Sequence, residues 1–127
     1  MRNPHVDIIA HLTARQIGRR APIELDFDAV CKAAVETGTF LEINASPERL
    51  DLKDSHVRRA VELGVVFAVS TDSHWPSTFT HMRYGVMNAR RGWCGPSRIV
   101  NSLSFDKFKE VMSVPKPERY ALMERHA

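Results

Sequence analysis

Three short apolar runs, each ending in polar residues, predict three buried strands. They are residues 6–11 (VDIIAH), 40–45 (FLEINA) and 65–72 (VVFAVSTD). Runs of this length and apolar content are typical of strands that are covered on both faces, as in a parallel sheet. The sequence therefore predicts a parallel sheet with polar residues at the carboxyl ends of its strands.

Helical spacing of apolar residues fills the two intervals between these runs. From Phe27 to Val35 apolar residues recur at i, i+3, i+4, i+7 and i+8, and Gly38 is expected to end that helix. Asp54 is expected to cap a second helix, which Gly64 ends. The order strand, helix, strand, helix, strand predicts an α/β fold with right-handed crossovers, either a barrel segment or an open doubly wound sheet.

The remainder of the chain has a less regular pattern. Two further helices are predicted, one over residues 77–88 and one over residues 104–112 that begins with Ser104 as its cap. Prolines follow the second helix, and residues 118–126 are expected either to form a short charged helix or to remain mobile. The helix over residues 104–112 is expected to turn these apolar residues toward the sheet: Phe105, Phe108, Val111 and Met112.

Composition narrows the class of protein. The 127 residues fit one domain, and 43% hydrophobic residues suffice for a core. No apolar run approaches the roughly 18 residues of a membrane span, and the first residues lack the hydrophobic stretch of a signal peptide, so we expect a soluble, cytoplasmic protein without a membrane partner. Cys31 and Cys94 lie in unrelated contexts, which predicts reduced thiols and neither a disulfide framework nor a zinc knuckle.

The residues best suited to chemistry stand at two of the predicted strand ends. Asp72 and His74 are two positions apart, so that their side chains share a face while the backbone stays extended, and His11 ends the first strand. Catalytic groups gather at the carboxyl ends of parallel strands, and this mixture of imidazole and carboxylate suits zinc, manganese or iron better than calcium. We expect these residues to share a metal site, although an Asp-Ser-His triplet can also simply cap a helix.

Glu42 is a charged residue in the middle of a predicted buried strand. A carboxylate in that place is costly to bury without a partner. We expect a salt bridge from Glu42 to Arg49 or Arg58 rather than a role as a metal ligand.

An arginine-rich loop follows the first predicted strand, and the net charge of the chain is +3. Guanidinium groups match the geometry of a phosphate, so the loop is a candidate phosphate-binding site; a solvated basic loop is the alternative. Charge alone does not establish nucleic-acid binding. The candidate phosphate-binding residues are Arg15, Arg19 and Arg20.

Four blocks of this sequence, residues 10–20, 33–52, 70–74 and 82–93, resemble the PHP (polymerase and histidinol phosphatase) domain of bacterial and archaeal family X DNA polymerases. Residues 10–20 (AHLTARQIGRR) are similar to the family signature AHPTGR with its trailing GRR, except that Leu12 replaces the proline and Ala14 replaces the glycine. The likeness covers roughly residues 3 to 112. The other blocks follow in the family's order at residues 33–52 (AAVETGTFLEINASPERLDL), 70–74 (STDSH) and 82–93 (MRYGVMNARRGW).

The resemblance implies a fold and an activity. It implies a partial, distorted (β/α)7 barrel with mostly parallel strands and covering helices, formed by residues 1–112 as the C-terminal portion of a PHP domain, with 113–127 as a charged tail. It implies a metal-dependent phosphoesterase of the DNA 3′-5′ exonuclease or 3′-end-processing type, whose substrate is DNA or another phosphate ester. Zinc or manganese would be held by His11, Asp72 and His74, with Asp72 and His74 as catalytic residues.

The family's opening His-x-His motif has no counterpart in this sequence. We therefore expect an incomplete metal cluster, little phosphodiesterase activity from the chain alone, and a complementary PHP half or a second copy of the chain as partner. Association is expected through the open edge of residues 6–11. The alternative is a noncatalytic, truncated PHP module that binds metal, DNA or a partner chain.

Overall fold

A small parallel sheet lies at the centre of the computed structural model, which describes residues 1–126. Its strands are β1 (Ile8–Ile9), β2 (Phe40–Asn44) and β3 (Phe67–Ser70), in the spatial order β1-β2-β3. Both neighbouring pairs are parallel. The predicted parallel sheet is confirmed, and the carboxyl ends of all three strands lie at one edge.

Helices cover this sheet, which confirms the mixed α/β class. The helix predicted over residues 77–88 consists of two elements, a 3₁₀ helix at Pro76–His81 and an α-helix that begins at Met82. The first six residues, which start with Pro76, have the i→i+3 hydrogen bonds of a 3₁₀ helix. The α-helices of the described residues are α1 (Phe27–Thr37), α2 (Asp54–Glu62), α3 (Met82–Arg91), α4 (Phe105–Ser113) and α5 (Arg119–His126).

The ends of the first two helices depart in one respect from the sequence prediction. The Asp26 side chain caps α1 by accepting a hydrogen bond from the Ala29 N–H at 3.0 Å, and Gly38 ends the helix with φ 64°, as predicted. The prediction that Asp54 caps α2 is wrong. Lys53 holds the cap position, and the Asp54 carboxylate accepts from the Ser55 N–H at 2.8 Å inside the first turn.

The core lies on both faces of β2, whose five residues are all buried. On one face Leu41 and Ile43 pack with residues of α1, α2 and α3. On the other face Phe40 packs with β3, α4 and α5. Burial on both faces is therefore confirmed for β2. It is wrong for β1, which is only two residues long, and Ile8 is 45% exposed at the edge of the sheet.

The segment after α4 packs on the core. The Tyr120 hydroxyl donates to the Thr39 carbonyl at 2.7 Å, and its ring stacks on Phe40 with centroids 5.9 Å apart. Of the two alternatives for residues 118–126, the structure therefore has the helix. The boundary between residues 1–112 and the tail at 113–127 stays a prediction, and Ala127 lies outside the described residues.

One apolar residue of α4 is placed differently from the prediction. Phe105 is 73% exposed, whereas Val111 is fully buried. The apolar stripe of α4 meets the core only from Phe108 onward, so the first turn of the helix projects beyond it. Ser104 occupies the N-cap position without a side-chain cap hydrogen bond.

The two outer edges of the sheet differ. On β3, Val69 donates its N–H to Asn101 Oδ1 at 3.0 Å, and Asn101 Nδ2 donates to the Val69 carbonyl at 2.8 Å, so a side-chain amide takes the place of another strand. Within the described residues, β1 pairs with β2 on one side and with no strand on its other side. Association through residues 6–11 stays a prediction.

Both cysteines are free and buried. Burial is the main cause that raises the pKa of the Cys31 thiol and of the Cys94 thiol to about 11. The thiols are therefore protonated at neutral pH, and the reactive thiolate form is scarce. Neither cysteine forms a disulfide, as the sequence predicts.

No helix within residues 1–126 combines the length and the apolar character needed to cross a membrane. The cytoplasmic location stays a prediction.

Candidate functional site

The segments that directly follow β2 and β3 line a cleft of about 390 Å³. Asn44, the last residue of β2, donates its amide Nδ2 to Asp72 Oδ2 at 3.1 Å and so links the two strand ends. Asp72 and His74 both line this cleft, and His11 is not among its lining residues. The other lining residues are Ser46, Pro47, Glu48, Thr71, Trp75, Thr78 and His81.

Glu42 ties all three strands together beneath this cleft. Its side chain is buried, with 7% of the residue exposed. Its Oε2 accepts from the backbone N–H of His11 at 2.6 Å and from Asn44 Nδ2 at 3.3 Å. Its Oε1 accepts from the Ser70 hydroxyl. His11 therefore belongs to the same hydrogen-bonded network as Asp72, although the structure places its side chain outside the cleft.

The expected salt bridge of Glu42 is wrong. Arg49 Nε lies 3.3 Å from Asp72 Oδ2, and Arg58 Nε lies 3.5 Å from Glu62 Oε1. The physical reason is the parallel sheet: it brings His11, which follows β1, and Ser70, the last residue of β3, close to Glu42, and both supply neutral donors. Hydrogen bonds from three neutral donors satisfy this carboxylate without a buried cation.

Asp72 and His74 are held in defined orientations. Asp72 Oδ2 accepts from Asn44 and pairs with Arg49. His74 Nδ1 lies 2.8 Å from the carbonyl oxygen of Asp72. A carbonyl can only accept, so this contact selects the tautomer that carries its proton on Nδ1 and leaves the lone pair on Nε2. His74 thus presents the nitrogen that a metal or a transferable proton requires.

Backbone strain is concentrated around this edge of the sheet. Within residues 1–126, five residues other than glycine have positive φ, and only Trp93 lies elsewhere. Left-handed backbone is unfavourable for side chains with a Cβ, and such residues cluster at functional sites. The four at this edge are His11 (32°), Ala14 (54°), Leu50 (42°) and Asp72 (54°).

Ala14 gives a direct test of this strain, because alanine differs from glycine only by its Cβ. We expect Ala14→Gly to raise the free energy of unfolding by about 0.5 to 1 kcal/mol, since glycine adopts a φ of 54° without steric cost. The matched control is Ala33→Gly inside α1, which should lower it by about 1 kcal/mol. Urea denaturation of both variants checks the opposite signs, and a destabilised Ala14→Gly would contradict the argument.

The arginine-rich loop lies against the cleft wall. The Ile17 N–H donates to the Glu48 carbonyl at 2.7 Å, and Glu48 lines the cleft. Arg19 Nη1 lies 4.0 Å from Glu48 Oε2 with both side chains largely exposed, and Arg20 Nε donates to the Ala14 carbonyl at 2.7 Å. Arg19 and Arg20 therefore offer accessible positive charge next to the cleft.

Arg15 has a different position from the other two arginines. Its Nε donates to the Arg49 carbonyl at 2.8 Å, and its Nη2 donates to the Leu50 carbonyl. These bonds attach the arginine-rich loop to the segment that follows β2, so the Arg15 guanidinium is used to hold the loop in place. The binding of phosphate by Arg15, Arg19 and Arg20 stays a prediction.

Several residues of the site were not found by sequence reasoning. Asp51 is fully buried and accepts from both the N–H and the hydroxyl of Thr13, at 2.9 and 2.8 Å. Asn44 and Arg49 were likewise not assigned to the Asp72 network. The signal for Asn44 was a polar residue inside an apolar run, and the signal for Asp51 was a carboxylate between two leucines; each requires a hydrogen-bond partner when it is buried.

The donor set at this edge fits a metal by its chemistry. Two imidazoles and a carboxylate are typical of zinc and manganese sites, and the free Nε2 of His74 is a suitable ligand atom. Across residues 1–126, however, no three His, Cys, Asp or Glu side chains are grouped so that they could hold a metal ion. The ligand types are therefore present, but the described conformation does not group them into a cluster.

No protein-family model matches this chain. It is 46% identical over 102 residues to the DNA polymerase/3′-5′ exonuclease PolX of Bacillus subtilis (strain 168). This match covers 80% of the chain and 18% of the relative. The chain thus contains a region related to PolX and spans less than a fifth of that relative's length.

Proposed function

We propose, on the premise that this chain is related to a region of the DNA polymerase/3′-5′ exonuclease PolX, that it is the C-terminal portion of a PHP domain. In this proposal it contributes to a metal-dependent phosphoesterase site that acts on the 3′ ends of DNA. The observation that carries the proposal is the cleft at the carboxyl edge of the sheet, where Asp72 and His74 lie together. The three-stranded sheet would be one segment of a larger distorted β/α barrel.

The metal ligands in this proposal come from the resemblance to the PHP domain, and the supporting roles come from the contacts of the residues. Zinc or manganese would be held by His11, Asp72 and His74. When bound, the metal would supply Lewis-acid chemistry for the activation of water and the polarisation of a phosphoryl group. Asn44 and Arg49 orient the Asp72 carboxylate, and the Asp72 carbonyl fixes the tautomer of His74.

The arginine-rich loop would receive the substrate. Arg19 and Arg20 are exposed and can pair with backbone phosphates, whereas Arg15 holds the loop against the segment after β2. Further ligands would come from a complementary PHP half or from a second copy of the chain. We therefore expect the chain alone to bind metal and to show little turnover.

Calorimetric titration of the chain with Mn²⁺ and with Zn²⁺ tests the proposed site. Asp72→Asn and His74→Ala should each weaken binding at least about tenfold, since each removes a ligand. The matched controls are Asp106→Asn and His5→Ala, which alter exposed residues outside the cleft and should leave the affinity unchanged.

The outcomes separate the proposal from its alternative. Equal affinities for Asp72→Asn and Asp106→Asn would contradict the metal site. If the chain binds DNA without metal, and if none of these variants has a lower affinity for DNA, the noncatalytic module would be favoured. Robust Mn²⁺-dependent degradation of a single-stranded DNA 3′ end, abolished in Asp72→Asn, would show that the chain is sufficient for activity.

A further inference from the structure

An exposed tryptophan stands at the rim of the cleft. Trp75 directly follows His74, lines the same cleft, and is 72% exposed. Large aromatic side chains contribute strongly to stability and binding when they are covered, and this ring is left in water. The ring therefore carries unused contact surface beside the two proposed catalytic residues.

The backbone of Trp75 is fixed. Its carbonyl oxygen accepts from the Thr78 N–H at 2.9 Å. The hydroxyls of Ser73 and Thr78 lie 2.8 and 2.7 Å from the same oxygen, and Pro76 follows at the start of the 3₁₀ turn. The backbone that carries the ring is thus ordered by this turn, so on binding only the side-chain torsions of Trp75 would lose freedom.

Apart from Pro47, the other residues that line the cleft around the ring have polar side chains. Ser46, Glu48, Asp72, Thr78 and His81 line the cleft around it. A protein partner that buries a tryptophan normally covers it with an apolar interface core. A nucleotide combines a flat base with a sugar and a phosphate, so its base can stack on the ring while its polar groups meet the polar lining.

We propose that Trp75 is the base-stacking residue for the terminal nucleotide of single-stranded DNA. This inference rests on the proposed function, because it assumes that the scissile phosphate lies at Asp72 and His74. In a nucleotide only one sugar separates the base from the phosphate. Because Trp75 directly follows His74 in the lining of this cleft, the base next to a phosphate at His74 would lie beside the Trp75 ring. An aromatic ring can stack on any of the four bases. The proposed site therefore requires a base at the terminal nucleotide but does not select a particular DNA sequence.

The two tryptophans of the chain make this inference measurable. Trp93 lies beneath the Arg58 guanidinium, 3.6 Å from its ring centroid, and does not line this cleft. The Trp93→Phe variant therefore leaves Trp75 as its only tryptophan. The fluorescence of this variant is measured in the presence of EDTA during two titrations. One titration uses a ten-residue oligothymidylate, and the other uses an abasic oligonucleotide of equal length and charge.

We expect saturable quenching by the oligothymidylate and at least about tenfold weaker binding of the abasic strand, as the loss of a stacked base predicts. In the full chain, anisotropy of a labelled oligothymidylate should show that Trp75→Ala loses about tenfold in affinity. Trp75→Phe should stay within about threefold, because it keeps an aromatic face.

Equal affinity for the abasic strand, or unchanged affinity in Trp75→Ala, would overturn the assignment. A Trp75 emission that shifts with protein concentration in the absence of DNA would overturn it as well, in favour of a second copy of the chain on this surface. Because the titration needs neither metal nor turnover, stacking by a protein whose metal affinity is the same in Asp72→Asn and Asp106→Asn would contradict only the phosphoesterase proposal. Metal-dependent activity without stacking would contradict only the role of Trp75.

Discussion

Gly38→Ala is expected to lower the free energy of unfolding by about 3 to 5 kcal/mol, as an overlap in a packed region adds to the cost of left-handed backbone. Gly38 has φ 64°, and a Cβ there would overlap the carbonyl carbon and oxygen of Lys116 and lie 3.2 Å from the nitrogen of Pro117. These are backbone atoms, so no rotamer change can relieve the overlap.

The consequences of that overlap extend beyond the end of α1. The Lys116 ammonium donates to the carbonyls of Met1, Asn3 and Val6 at 2.9, 3.1 and 2.5 Å. Any shift of the Lys116 backbone away from residue 38 therefore disturbs the attachment of the N-terminal segment that precedes β1. We expect the loss of stability to include this segment.

Gly64→Ala is the matched control for this prediction. Gly64 also follows a helix and has φ 88°, but a Cβ there would meet no atom within 4 Å. It should therefore lose only the backbone term, about 1 to 2 kcal/mol. Urea denaturation followed by circular dichroism compares the two variants. If both variants lose the same free energy of unfolding, the backbone around Lys116 must move away from the new Cβ without destabilising the fold, which would contradict this prediction.

Glu42→Ala is expected to destabilise the chain by a similar amount, about 3 to 5 kcal/mol, because it removes a buried carboxylate from several donors at once. The His11 N–H, the Asn44 amide and the Ser70 hydroxyl would each lose an acceptor. Since these donors come from the ends of all three strands, the loss falls on the edge that forms the cleft.

Glu42→Gln separates the shape of this side chain from its charge. Its amide oxygen can still accept from the His11 N–H, and the Ser70 hydroxyl can turn to accept from its amide nitrogen. We expect a smaller loss of about 1 to 2 kcal/mol. Glu36→Ala, on the exposed face of α1, is the control and should stay within about 0.5 kcal/mol. A loss in Glu42→Ala no larger than in Glu36→Ala would contradict the account.

Local pattern was enough to predict the elements that carry the fold. Each pattern is visible within one short segment: the apolar run at residues 40–45 and the helical stripe from Phe27 to Val35. Gly38 marked the end of α1 because only a left-handed conformation suits that position. Parallel pairing followed from the alternation of strands and helices, and it brought Asp72 and His74 to the edge where Glu42 holds the His11 backbone.

The partners of the buried charges were decided by the tertiary structure alone. Glu42 meets His11 across 31 positions, Asp51 meets Thr13 across 38, and Lys116 meets Val6 across 110. A sequence pattern shows that a buried carboxylate or ammonium requires partners, but it does not show which donors the folded chain brings within 3 Å. The short β1 and the packed α5 have the same origin, since both depend on which surfaces meet after the sheet has formed.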